Sequence, residues 1–414
     1  MRLICLLLVV ASTAPAADDW DLPPLRYTDS QPTDALARLA ATGGGLAGKS
    51  PLERLAAVLD LLEVPPSSQM LVFSKTSLQT ALIRPDNPRA LYFNENAYVG
   101  YVPGGLIEVA VQDAALGMVF YTIESTDSQP PERQIRREVA NCLSCHGTAR
   151  TESVPGVLVR SVFPDRGGLP VLSHGSFLID HTSPLGERWG GYYVTGTSSL
   201  PHLGNRTFTE GSERPAATVA APLKDLSGKI AVHRYPRATS DVVALMLLEH
   251  QCAVHNHLNA AAIQFRRHAF LSQSLGLDNA ATSGSAAEIA TRAAMRIVDL
   301  LLFKDEAPLG DDGIDGCEEF QRAFTARFPK TSEGYSLADF NLYQRLFKHR
   351  CSYMIYSSAF THLPGPLKTA VLTRLRAALA NATDTSAPHL SAPEKARLDH
   401  ILRATLPAYR ELPG

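Results

Sequence analysis

Cys142, Cys145 and His146, in the run Cys142-Leu143-Ser144-Cys145-His146 followed by Gly147, are the residues whose types and spacing define a chemistry. Two thiols three positions apart, with an imidazole directly after the second, form the attachment pattern of a c-type haem. The thiols add across the two vinyl groups, and the ring of His146 becomes the proximal iron ligand. A zinc site would want a second nearby pair of Cys or His ligands, and a thioredoxin-like dithiol a βαβ setting. Neither is visible around the motif, and no second CxxCH occurs along the chain. One covalent haem c is therefore the expected cofactor.

The iron has a further axial position. A long helix is expected over Ser240 to Arg267, carrying Met246, His250, Cys252, His255 and His257. At 100° per residue Met246, His250 and His257 fall on one narrow face, whereas His255 points elsewhere. His250, or His181 from the loops after the motif, is the expected sixth ligand. His174, His202 and Met246 lie within reach in principle, and a vacant or water-bearing position is the remaining alternative. Arg150, Arg160 and Arg188 are candidates for pairing with the propionates, because a guanidinium matches a carboxylate bidentately.

These residues need a scaffold, and the chain supplies 414 residues with a formal net charge of −2. The near balance of charge and the lack of a basic run exclude nucleic acid as the expected partner. The expected partner is a redox protein or a small-molecule electron donor or acceptor. Arg2, the apolar run Leu3 to Val10 and Ala14-Pro15-Ala16 read as a signal peptide over 1–16, cleaved near Ala17. A periplasmic or secreted location follows, with no integral membrane span, since no later stretch reaches the roughly 20 apolar residues a span needs. Without Cys5 and the two motif thiols, Cys252, Cys317 and Cys351 remain. Cys317 and Cys351 form a disulfide or stay as buried thiols; the sequence leaves both open. Asp311 to Gly316 lacks the ligand spacing of a calcium loop and reads as an acidic turn.

The expected fold class is α+β: an antiparallel, β-rich region over 17–236 carries the haem turn, and a helical region over 237–414 packs on it. Ser50-Pro51-Leu52-Glu53 is a capping box that starts a helix. Short β-rich runs follow at 70–73, 90–93, 98–102, 106–111 and 118–123, separated by turn residues. A charged helix is expected over Glu132 to Ala140, and strand-like runs at 157–163 and 170–172. Beyond the long helix, further helices are expected at 286–303, 316–327, 336–349, 364–379 and 392–404.

The motif resembles that of the cytochrome c superfamily. On that resemblance, Cys142 and Cys145 are the thioether partners and His146 the proximal ligand. The chain lacks the short carboxy-terminal Met loop and the paired terminal helices of small cytochromes, which need only about 100 residues. Val72 to Ser77, Arg89 to Asn94 and Ser352 to Ser357 resemble stretches of long secreted mono-haem proteins, a likeness that implies no particular reaction. Two functional classes follow as expectations. One is an electron carrier of the bacterial envelope; the other is a haem-dependent, peroxidase-like oxidoreductase with an open or exchangeable sixth position.

Overall fold

A computed structural model describes residues 18–412 apart from 44, 128, 131, 132, 212, 278 and 381–386. The expected signal peptide lies outside the described residues. Helix α1 (Ala35–Ala41) is capped by Asp34, whose carboxylate accepts from Leu36 and Ala37 N–H. Helix α2 (Pro51–Leu61) starts with the capping box read from the sequence: Ser50 and Glu53 each satisfy the other's backbone N–H.

A six-stranded antiparallel sheet then forms as a meander in the order β1 to β6. Its strands are β1 (Met70–Val72), β2 (Arg89–Asn94), β3 (Ala97–Tyr101), β4 (Ile107–Asp113), β5 (Gly117–Ile123) and β6 (Ile135–Arg137). The fold class is thus α+β, with the sheet in the first half and most helices in the second. β6 replaces the helix expected over 132–140. Arg137 decides this: its guanidinium donates to the Tyr27 and Ser30 carbonyls, both at 2.6 Å, and lies over the Tyr27 ring. Those partners sit about 110 positions away in sequence, so no local pattern announces the pairing.

After the sheet comes the one-turn helix α3 (Leu143–His146), then β7 (Arg160–Val162) paired with β8 (Ser176–Leu178). Only the centre of the strand expected at 157–163 is paired, and 172–174 is a 3-10 turn rather than the end of a strand. The two-residue strands β9 (Thr197–Ser198) and β10 (Ile314–Asp315) pair across a long interval.

Helix α4 (Val242–Ser274) is the central element, 33 residues long and buried over most of its circumference. Asp241 caps it, accepting from Ala244 N–H and, from a distant loop, Cys317 N–H. It packs on α5 (Gly284–Leu301), which packs on α8 (Gly365–Ala380), which packs on α9 (Ala392–Thr405). Helices α6 (Glu318–Ala326), α7 (Ser358–Thr361) and α10 (Pro407–Arg410) complete the set. Where a helix was expected over 336–349, the chain forms the hairpin β11 (Phe340–Tyr343) and β12 (Arg345–Phe347). Leu342 and Gln344 take left-handed backbone conformations at φ 60° and 57°, which a right-handed helix forbids. Cys252, Cys317 and Cys351 are all free thiols, so the Cys317–Cys351 disulfide does not form. Among the described residues no helix is long and apolar enough to cross a membrane.

Candidate haem-binding site

The register of the sheet builds a hollow. Strand side chains alternate between faces, so one face carries Arg89 and Leu91 of β2, Tyr98 and Gly100 of β3, Glu108 and Ala110 of β4, and Phe120 of β5. The two smallest, Gly100 and Ala110, lie on the inner strands. A cavity of about 400 Å³ opens above them, within the size range of small-molecule and cofactor pockets. The Arg89 guanidinium lies over Gly100, where a Cβ would meet it at 2.5 Å. Arg89 in turn pairs with Glu108 at 2.7 Å.

The facing walls come from three places. Helix α3 and the residue before its cap contribute Asn141, Cys142, Cys145 and His146. The segment after it contributes Val157, Leu158 and Arg160, and α4 contributes Leu248 and Cys252. All three residues of the CxxCH motif therefore line one cavity. Cys142 is half-buried and Cys145 exposed; burial pushes the Cys142 thiol up to about 12.

His146 is held in a defined way. Its Nδ1 lies 2.8 Å from the Gly156 carbonyl oxygen, so Nδ1–H donates and Nε2 keeps the lone pair. A metal-binding imidazole is oriented by this kind of bond from its other nitrogen. The ring packs against Phe120 with 5.1 Å between centroids. Burial holds its pKa below the usual histidine range, favouring the neutral form that ligates iron. Asn256 of α4 locks the segment that carries Gly156: its side-chain amide accepts from Val157 N–H at 2.9 Å and donates to Val157 O at 2.7 Å. The backbone N–H of Gly156 closes the loop by donating to His146 O.

The residues present fit a haem. An apolar hollow stands beside two thiols on one helical turn, and one imidazole has its outer nitrogen already engaged. Arg89 Nε is buried with no hydrogen-bond partner, a donor to which a propionate would be complementary. Arg160, one of the expected propionate partners, lines the same cavity. Arg150 does not line it, and Arg188 is committed elsewhere: it pairs with Glu249 at 2.8 Å and donates to the Ser183 and His181 carbonyls.

The expected sixth ligands are placed elsewhere. His250 and His181 meet each other, Nδ1 to Nδ1 at 3.1 Å, in a buried cluster where His250 Nε2 contacts Ser352 Oγ at 2.6 Å and the ring stacks on Phe303. Neither lines the cavity, and neither do Met246, His174 or His202. Among the described residues lining it, His146 is the one histidine and there is no methionine.

The helix face turned toward the hollow is a different one. Leu248, Cys252, His255 and Asn259, at spacings of three and four, follow one side of α4. His255 Nδ1 lies 2.6 Å from the Tyr98 hydroxyl, and Asn259 exchanges two amide hydrogen bonds with Gln112 of β4. The wheel places His255 about 140° from His250, so the rotation that turns His250 away from the sheet sets His255 against Tyr98. Tyr98, Gly100 and Ala110 escaped the sequence reading. Their signal is two small residues at adjoining positions on one face of neighbouring strands, legible only once strand register is known. No protein-family model, curated protein or solved structure matches the chain.

Proposed function

We propose that this chain is a secreted or periplasmic mono-haem c-type cytochrome, with the haem attached through Cys142 and Cys145 and His146 as proximal ligand. The observation that carries the reading is that both thiols and His146 line one cavity while His146 Nδ1 is engaged by the Gly156 carbonyl. Bound there, the haem would supply one-electron exchange between ferric and ferrous iron. The chain's own part is to hold and tune it. Cys142 and Cys145 fix its edge, and Gly156 orients the imidazole and raises its basicity. Leu91, Leu158, Leu248 and Phe120 give the hollow apolar walls. Arg89 and Arg160 offer cations to its carboxylates.

A second reading, a peroxidase-like oxidoreductase with an exchangeable sixth position, is favoured by one observation: among the described lining residues, neither a second histidine nor a methionine is present. The experiment for the first reading is expression with haem-attachment machinery, followed by pyridine haemochrome spectroscopy after acid extraction. Thioether-type bands that survive extraction are expected from the wild type, and Cys145→Ala should lose the stable holoprotein. Covalent haem retained in that variant contradicts the assignment.

A further inference from the structure

Resting on that haem reading, we propose that Arg89 anchors a ligand carboxylate in the cavity, and that this non-covalent capture precedes any bond to Cys142 or Cys145. Charge and burial single Arg89 out. Lys75, Arg89 and Arg160 line the cavity, and Glu108 is the one carboxylate among the described lining residues. The hollow therefore carries an excess of positive charge before a ligand enters. Arg160 already donates through Nη2 to Ser176 Oγ at 3.1 Å, and Lys75 is a point charge on a long flexible stem. The Arg89 side chain is only 22% exposed, and its Nε is buried with no hydrogen-bond partner.

Strand register explains why that nitrogen is left over. Arg89 begins β2, and its side chain crosses β3 at Gly100 to reach Glu108 on β4, the residue paired with Gly100. A Cβ at Gly100 would meet Nη2, Nε and Cζ of Arg89 at 2.5, 2.8 and 2.9 Å, so one edge of the guanidinium lies on bare backbone. On that edge Nη2 stands 2.7 Å from Glu108 Oε2, while Nε has no partner. Glu108 Oε2 is itself buried without an aligned hydrogen bond, so the contact is one of charge rather than a directed N–H···O bond. Such an edge matches a carboxylate with two donors, and here one of the two is free. A buried donor left unpaired keeps its full desolvation penalty; an incoming carboxylate oxygen removes it.

Capture comes first for a geometric reason. Cys142 is half-buried and lines the hollow, so its thiol meets a ligand that already sits inside. Arg89 stands on the sheet and the thiols on the haem turn, so the anchor does not depend on the bonds it precedes. Leu91, Leu158, Leu248 and Phe120 line the space for an apolar body. Each thiol then adds its S–H across a vinyl group, a step that releases nothing and needs no oxidant or reductant. The chemistry recognised is a carboxylate on an apolar body, which haem carries and a free organic acid carries too.

The test uses the full chain with Cys142→Ser and Cys145→Ser, titrated by absorbance with haemin and with haemin dimethyl ester, whose carboxylates are blocked. Haemin should bind about tenfold or more tightly than the ester, the worth of one charge-assisted hydrogen bond, and Arg89→Gln should close most of that gap. Arg84→Gln, outside the cavity, should leave it open. If Arg89→Gln does not fold, Arg89→Gln with Glu108→Gln replaces the ion pair by two amides of similar size and carries the same comparison. Millimolar benzoate separates the sources of the carboxylate. Displacement of haemin that vanishes with Arg89→Gln extends the site to free organic acids, whereas no displacement with the gap intact assigns it to the carboxylates of haem; both keep Arg89 as the anchor. No haemin binding to the thiol-free chain overturns the proposal, as does equal affinity for the ester, or a gap that survives Arg89→Gln and closes in Arg160→Gln. Pyridine haemochrome on the wild type judges the attachment separately. Thioether bands without an ester gap overturn this proposal alone, and an Arg89-dependent gap without thioether bands overturns the attachment alone.

Discussion

Gly156 concentrates two demands in one residue. Its carbonyl accepts from His146 Nδ1, and its Cα lies so close to α4 that a Cβ would meet Asn256 Oδ1 at 2.4 Å and Thr151 Cβ at 3.0 Å. Asn256 cannot withdraw without giving up its two bonds to Val157. Gly156→Ala should therefore destabilise the protein by about 1–3 kcal/mol, the usual cost of overpacking a filled interior. Urea unfolding of the wild type and the variant measures this, and an unchanged midpoint would contradict the packing account. From the sequence alone Gly156 is one glycine among 28. The motif, whose His146 lies ten residues earlier, is legible because its thiols and imidazole form a fixed local spacing. The carbonyl that orients His146 is not, because any residue has a carbonyl and only the path of the chain selects this one.

The sheet and α4 are the elements that make the site, and they were legible to different degrees. Five strands announce themselves as short apolar, β-rich runs between turn residues, and their positions agree with β1 to β5. β6 and the β11–β12 hairpin were read as helices, since Arg137 and the left-handed Leu342 and Gln344 take their conformations from distant partners. The long helix forms as read, but the face carrying Met246, His250 and His257 does not line the cavity, which Leu248 and Cys252 line instead. It is buried on nearly all sides, so hydrophobic periodicity cannot tell which side meets the sheet. Register then fixes the hollow, with Ala110 between Tyr98 and Phe120. Ala110→Phe should fill it: the folded chain keeps its far-ultraviolet circular dichroism, while covalent haem falls to a small fraction of the wild-type yield. Normal loading in that variant would place the cofactor elsewhere.

At the scale of the whole molecule, the interior holds an unusual set of ionisable groups. Burial holds His181 and His202 at about 4 and His255 at about 3. Burial also raises Asp241 to about 6, and Glu249 and Glu306 to about 7. The two sets act in opposite directions. A depressed imidazole contributes stability present above its unfolded value and lost as pH falls through the folded one. A raised carboxyl contributes stability present below its unfolded value and lost as pH rises through the folded one. The sums partly offset, so a single residue gives the cleaner reading. His202 packs on Trp189, accepts from Gly204 N–H through Nδ1, and has Arg206 as its neighbouring charge. Between pH 6.5 and 4, His202→Asn should lose less stability than the wild type by about 3 kcal/mol. Chemical denaturation at the two pH values checks it, and parallel losses would show that the ring is not held neutral by the fold.

The sequence by itself determined the antiparallel strands, the long helix and the α+β class, and it carries the thiol and imidazole spacing on which the proposed haem attachment rests. Each depends on neighbours within a few positions: a thiol spacing, an apolar run between turn residues, a period near 3.6, a cap. Tertiary structure alone decided that neither His250 nor His181 lines the cavity, which arginine is left with an unpartnered nitrogen at it and which is consumed by Glu249, and that Cys317 and Cys351 stay unjoined. Those outcomes depend on the rotation of a helix about its axis and on the register between strands. The rotation is set by contacts such as Tyr98–His255 and Gln112–Asn259, 157 and 147 residues apart, where no short-range pattern reaches.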